Sequence, residues 1–205
     1  MKRKILLICI MSLVINIFYG QTNTTPQQIL TKAVSAISNA KGVETKFTIY
    51  NSGYSGTGLI KSQGNKFNVT LPDVEVWYNG KDLYTYNKRS GETTIVNPTP
   101  EELSETNPLA YVTGAFKNYN INYSTVKKAG KDVLELTPKT RGEIKRITLT
   151  LRKSDSVPEK IVVEPSHGNP ITAEISSFKT VATFSASDFE YPKTKYPKVE
   201  IVDLR

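Results

Sequence analysis

The sequence has one cysteine, one histidine and one tryptophan in 205 residues, and these scarcities exclude more chemistry than the common residues suggest. Cys9 lies in the apolar run Ile5–Phe18 behind Lys2, Arg3 and Lys4. A charged head, an apolar stretch shorter than the about 20 residues of a bilayer span, and the small residue Gly20 read as a secretory signal peptide over residues 1–20. The cysteine therefore leaves with the leader. With Ile8 before it and so short an apolar stretch ahead, it is not a lipidation site. The mature chain has neither disulfides nor a thiolate nucleophile, and folds on its core alone in an oxidising compartment.

His167 stands in Ser166-His167-Gly168-Asn169-Pro170, a turn between strands. No base is thus placed beside a nucleophilic serine, and no cluster of His and Cys points to a metal. Glu101 and Glu102 sit at a helix start, where they complement the helix dipole rather than form a glycosidase pair. The reading is a non-enzyme without cofactors.

Without the leader's three cations the formal net charge falls from +8 to +5. The remaining Lys and Arg are scattered, which suits solubility and attraction to anionic lipid but not nucleic acid. No low-complexity stretch or linker divides the chain, so residues 21–205 are expected to form one domain. Tyr191-Pro192-Lys193 recurs as Tyr196-Pro197-Lys198, too short an echo to be a repeat.

Three helix starts are legible. Thr25-Pro26-Gln27-Gln28 combines an N-cap, a proline at the first helical position and the glutamine of a capping box. Ile29, Ala33 and Ile37 then share an apolar stripe that Gly42 is expected to end. Thr99-Pro100-Glu101-Glu102 repeats the signal before Leu103, and Asn107-Pro108 opens a third helix with Leu109, Val112 and Phe116 on one face.

Elsewhere apolar residues alternate with polar ones, as strands do. Phe47 and Ile49 follow Val43 and Thr45; Phe67 and Val69 precede Leu71; Leu149 and Leu151 follow Ile147; Ile161 alternates with Val163, and Ile171 with Ala173 and Ile175. One face of each strand is apolar and the other wet. From Trp77 to Val96, Asn79-Gly80 predicts a type I′ hairpin and Ser90-Gly91 the next turn. Short turns without crossovers predict a curved antiparallel sheet with its few helices collected on the apolar face, an α+β fold. Alternation serves a packed core as readily as a ligand cavity, and Trp77 a strand staple as readily as a lipid contact.

Taken in order, these features resemble the LolA-like periplasmic lipoprotein carriers. The resemblance rests on the opening helix ending near Gly42, Phe47, Gly58-Leu59-Ile60-Lys61, Asn65-Lys66-Phe67, and Trp77 before Asn79-Gly80-Lys81. It continues through Leu83-Tyr84-Thr85-Tyr86, Asn107-Pro108-Leu109, Leu136-Thr137-Pro138-Lys139 and Phe189 ahead of Pro192, and the closing run from Tyr196 to Arg205 looks like a divergent branch. It implies an incomplete antiparallel β-barrel whose apolar concave face is closed by helices, with acyl chains between. Phe47, Ile49, Phe67, Val69, Leu149, Leu151, Ile161, Val163 and Ile175 are the cavity candidates on this basis. Ile29, Ala33, Ile37, Leu103, Leu109, Val112 and Phe116 are the lid candidates.

It further implies a monomeric carrier of acylated lipoproteins between an inner-membrane lipoprotein-releasing ABC transporter and an outer-membrane acceptor. One departure stands out. Such carriers place an arginine and a proline after the strand at Leu59-Ile60-Lys61, and that arginine helps hold the lid shut. Here the run is Lys61-Ser62-Gln63-Gly64-Asn65, which leaves Lys61 or Lys66 to act as the latch. A lipid-sensing domain of similar fold and a structural β-domain with a filled core are the competing readings.

Overall fold

The computed structural model describes residues 24–114 and 118–205; the expected leader with its cleavage point, and Phe116, lie outside them. Helix α1 (Pro26–Ser38) begins with the expected reciprocal cap. Gln28 N donates to Thr25 Oγ1 at 3.2 Å and Thr25 N to Gln28 Oε1 at 2.9 Å. Its end differs from expectation. The helix closes with Asn39 N donating to Ser35 O at 3.0 Å, three residues before Gly42, which opens β1 (Gly42–Asn51). A Cβ on Gly42 would come within 2.8 Å of Val181 Cγ2, so this glycine permits close strand packing rather than a helix stop.

A first meander follows as β2 (Tyr54–Gln63), β3 (Lys66–Thr70), β4 (Val74–Tyr78), β5 (Leu83–Asn87) and β6 (Glu92–Val96). Two short helices, α2 (Pro100–Thr106) and α3 (Pro108–Thr113), lead to a second meander, β7 (Tyr119–Tyr123), β8 (Lys131–Pro138), β9 (Ile144–Arg152), β10 (Pro158–Pro165) and β11 (Ile171–Val181). The chain closes with β12 (Glu200–Asp203). All twelve join one open sheet in the order β12-β6-β5-β4-β3-β2-β1-β11-β10-β9-β8-β7. The β1–β11 pairing fuses the meanders, and every pairing is antiparallel except β12 on β6, which is parallel. This is the incomplete β-barrel that the resemblance implies.

The turns at Asn79-Gly80 and Ser90-Gly91 are not the two-residue type. Four residues separate Tyr78 from Leu83 and Asn87 from Glu92. Asn79 Oδ1 accepts from Lys81 N at 3.0 Å and Asp82 N at 2.9 Å, and Asn87 Oδ1 accepts from Arg89 N at 2.9 Å. Each asparagine side chain substitutes for a backbone acceptor, so only Gly80 and Gly91 need positive φ.

The concave face carries the core. Leu30, Ala33, Leu109 and Val112 pack in one cluster with Phe47, Ile60, Leu134 and Leu149. The convex face corrects the expectation of a wet side, because over β3–β6 it is dry. Trp77, Thr93 and Ile95 are buried there beneath the returning segment 184–205. Tyr191 meets Trp77 edge-on at 5.5 Å and stacks on Tyr84 at 5.5 Å, and Tyr196 lies 4.3 Å from Tyr86. Thr93 Oγ1 donates to Tyr191 Oη at 3.0 Å. The repeated Tyr-Pro-Lys thus sets two rings into one patch, 6.0 Å apart. Thr150, on the outward side of β9, is buried as well.

Candidate functional site

Beneath the helices the concave face is hollow. A cavity of about 360 Å³ lies between β1, β3, β4, β10 and β11 on one side and Thr106 of α2 and Tyr111 of α3 on the other. Its walls come from strand register. Ile49 stands opposite Ala173, Ala173 opposite Ile161, and Val69 opposite Val76. Gly58 makes room for one wall, since a Cβ there would strike the Phe47 ring at 2.6 Å and Leu71 Cδ2 at 2.9 Å. The Phe47 ring therefore lies down on the sheet instead of standing in the hollow.

Of the nine candidates for the cavity wall, Phe47, Ile49, Val69, Ile161 and Val163 line it. The others stand elsewhere. Leu149 and Leu151 are fully buried in close-packed core. Phe67 packs on the Tyr78 ring at 5.4 Å. Ile175 packs partly buried against the core beside Phe47 and borders a different hollow. Alternation alone missed Leu71, Val74, Val76, Ile171 and Ala173 as walls, although all continue readable strand patterns; Thr85, Thr106 and Tyr111 carry no such signal. Tyr111 is hidden because it stands off the Leu109–Val112 stripe.

The lid candidates Ile29, Ala33, Leu109 and Val112 are buried in the shared cluster, and Ile37 and Leu103 pack partly buried against it. Phe116 lies outside the described residues. At the far edge Gln27 Nε2 donates to Ile121 O at 3.4 Å and Tyr123 Oη donates to Thr24 O, tying α1 to β7. Burial also pushes the Tyr119 phenol above its usual range.

Among the described residues neither lysine offered as a latch pairs with α1, α2 or α3. Lys61 Nζ sits 2.7 Å from Asp188 Oδ1 and 5.6 Å from the Phe184 ring centroid, on the convex face, where it holds the C-terminal segment. Lys66 alternates with the inward Phe67 onto that same outer side. The reason is strand parity. Ile60 points into the core, so its neighbour Lys61 points out.

The polar residues that line the cavity are Thr85, Thr106 and Tyr111. Among the described residues no three His, Cys, Asp or Glu side chains gather to hold a metal ion, and no helix is long and apolar enough to cross a membrane. His167 is exposed in the β10–β11 turn. Such walls exclude water from apolar matter, and none of the residues that line them is a carboxylate, histidine, cysteine or lysine.

The model of one family, the outer membrane lipoprotein carrier protein LolA, matches residues 17–164. Among solved structures, an uncharacterized conserved protein from Thermus thermophilus is similar with a TM-score of 0.58 at 13% identity, over 86% of this chain and 98% of that one. A DUF1329 family protein from Desulfovibrio piger gives 0.48 at 12% identity, over 82% and 98%. A LolA superfamily protein from Nitrosomonas europaea gives 0.42 at 14% identity, over 82% and 98%. No curated protein sequence matches the chain.

Proposed function

Because the chain belongs to the family of the outer membrane lipoprotein carrier protein LolA, we propose that it is a periplasmic carrier that reversibly encloses the acyl chains of lipoproteins and moves them from the inner to the outer membrane. The observation that carries this reading is the unfilled apolar hollow under the helices. At about 30 Å³ per methylene, roughly the liquid volume of a water molecule, 360 Å³ takes about a dozen methylenes. Each buried methylene is worth about 0.8 kcal/mol, so one such segment is worth on the order of 10 kcal/mol. That is ample to hold cargo in water.

Further chains need more room, and the lid's construction supplies it. Helices α2 and α3 have seven and six residues, well below the about 12–15 that persist unaided. They stay helical through caps and packing: Thr99 and Asn107 accept from Glu102 N at 3.3 Å and Leu109 N at 3.0 Å. A lid of this kind moves without breaking the sheet, so opening and release follow from the same weakness. The carrier works without cofactor or covalent step, as a monomer exported by its leader. It takes cargo from an inner-membrane lipoprotein-releasing ABC transporter and yields it to an outer-membrane acceptor.

The test is release of labelled lipoprotein from spheroplasts with an active transporter, using an unrelated periplasmic protein as control. A soluble one-to-one complex above the control level is the expected result. Acyl binding without release would make the protein a lipid sensor instead, and a folded protein that does neither would be a structural domain.

A further inference from the structure

Strands β10 and β11 part company along the sheet. They pair only from Lys160 opposite Glu174 to Val163 opposite Ile171. Beyond that point β10 continues back to Pro158, held by β9, while β11 runs on to Val181, held by β1. Two residues account for the fork. Pro158 has no N–H to give a neighbour. Ser176 is the extra residue of a bulge in β11, where pairing skips from Phe47–Ile175 to Lys46–Ser177, and bulges bend a strand away from its partner. The main-chain edge of β11 from 175 to 179 therefore has no strand on it among the described residues.

The hollow in this fork measures about 720 Å³, twice the apolar cavity's 360 Å³. Its sides are Pro158 and Glu159 on β10 and residues 175–179 on β11, with half-buried Ile175 and Phe178 as apolar contacts. Five cations line it, Lys128, Lys131, Arg152, Lys160 and Lys179, against two carboxylates. Those two are already neutralised: Lys131 Nζ lies 2.6 Å from Glu159 Oε1 and Lys160 Nζ 2.8 Å from Glu174 Oε1. Arg152 is held by Asp155 at 2.9 Å. Lys128 and Lys179 form no ion pair within 4 Å among the described residues, although Glu44 stands opposite Lys179 across the β1–β11 pairing. The fork joins an unpaired strand edge to a positive rim.

We propose that this fork is a docking slot for an extended, acidic segment of a partner polypeptide, which adds to β11 as a strand. Five residues of open edge span about 17 Å at 3.3 Å each. In such recognition the main chain supplies affinity and alternate side chains supply specificity; here the lysines select an acidic sequence. A lone anion would satisfy the lysines but leave the strand edge bare. The slot lies apart from the apolar cavity, and the inference stands whether or not that cavity carries acyl chains.

The test uses the full mature chain and a fluorescein-labelled eight-residue peptide of alternating Glu and Val, read by anisotropy at low salt. The comparisons are the same peptide N-methylated at alternate residues, and the Lys128→Glu/Lys179→Glu protein with its circular dichroism checked. Two reversed surface charges at a few tenths to 1 kcal/mol each predict a Kd raised about tenfold. The methylated peptide is expected to bind at least as weakly, and the parent peptide to slow amide exchange at residues 175–179. Absence of binding to the folded wild type, indifference to methylation, or unprotected 175–179 amides would overturn the proposal. A dimer that the peptide dissociates would also overturn it, by placing a second copy of the chain in the fork.

Discussion

On strands β3 to β6 the outer face meets Tyr191 and Tyr196, whereas the inner face beside Val69 and Val76 meets a hollow. Trp77 and Val76 are neighbours in sequence, both less than a tenth exposed, yet one is gripped by aromatic rings and the other lines a void. Burial alone does not separate these states. A covered side chain that touches atoms on all sides gains dispersion and transfer energy together, while one that borders a void has already forgone part of both. The clamp is thus expected to hold the curved sheet in shape, and the hollow to remain free for cargo.

The largest effect should come from the gripped side. Trp77→Ala is expected to cost about 3–5 kcal/mol in urea unfolding, as for a large aromatic removed from packed surroundings, and Val76→Ala less than half of that. Equal losses would erase the distinction. Next is the hydrogen-bond cluster under Tyr196. Glu75 accepts from Tyr196 Oη at 2.9 Å and Lys195 Nζ at 3.2 Å and pairs with Lys88 at 3.1 Å. Burial alone would raise its pKa, but the donors from Tyr196, Lys88 and Lys195 together outweigh burial and hold it below the usual 4.5. A depressed carboxylate stabilises fully above its unfolded pKa and loses that contribution as pH falls through the folded value. Stability should therefore decline below about pH 4.5, more steeply in the wild type than in Glu75→Gln. Tyr196→Phe should cost about 1.5 kcal/mol at neutral pH by thermal or urea unfolding.

On the hollow side the sign of the comparison reverses. Ala173→Phe fills space instead of emptying it, so a fluorescent fatty-acid titration should show binding weakened at least about tenfold. Its folding free energy should stay within about 1 kcal/mol of wild type, whereas overpacking a filled core costs about 1–3 kcal/mol. The smallest effect belongs to Lys61→Met. Its partly exposed pair with Asp188 is worth about 0–1 kcal/mol, and fatty-acid binding should not change, because the pair fastens the C-terminal segment and not the lid. Altered binding kinetics in Lys61→Met would return the latch role to Lys61.

Local signals were the legible ones. Thr25 with Gln28 and Thr99 with Glu102 announced both capping boxes because cap and partner stand three residues apart. Alternation revealed the inward residues of most strands, and with them five walls of the hollow. What stayed hidden depends on distant partners. Thr93 and Tyr191 meet across 98 residues, and Glu75 and Tyr196 across 121, so Tyr84, Tyr86 and Trp77 showed alternation but not the rings that cover them. The parallel docking of β12 is hidden for the same reason. Leu149 and Leu151 read like Ile161 and Val163, because periodicity reports a face of the sheet and not what stands across from it. Ile175 keeps step with Ala173 and packs against the core, but the bulge that follows at Ser176 opens the fork beside it, a feature that two adjacent serines do not announce.

The account's central claim concerns where an acyl chain lies. The direct measurement is photocrosslinking with a palmitoylated peptide carrying a diazirine at the chain's end, followed by mass-spectrometric mapping. Crosslinks on Ile49, Leu71, Val163 and Tyr111, suppressed in Ala173→Phe, are the predicted result. Crosslinks confined to the convex face or to residues 175–179 in a folded protein would contradict it.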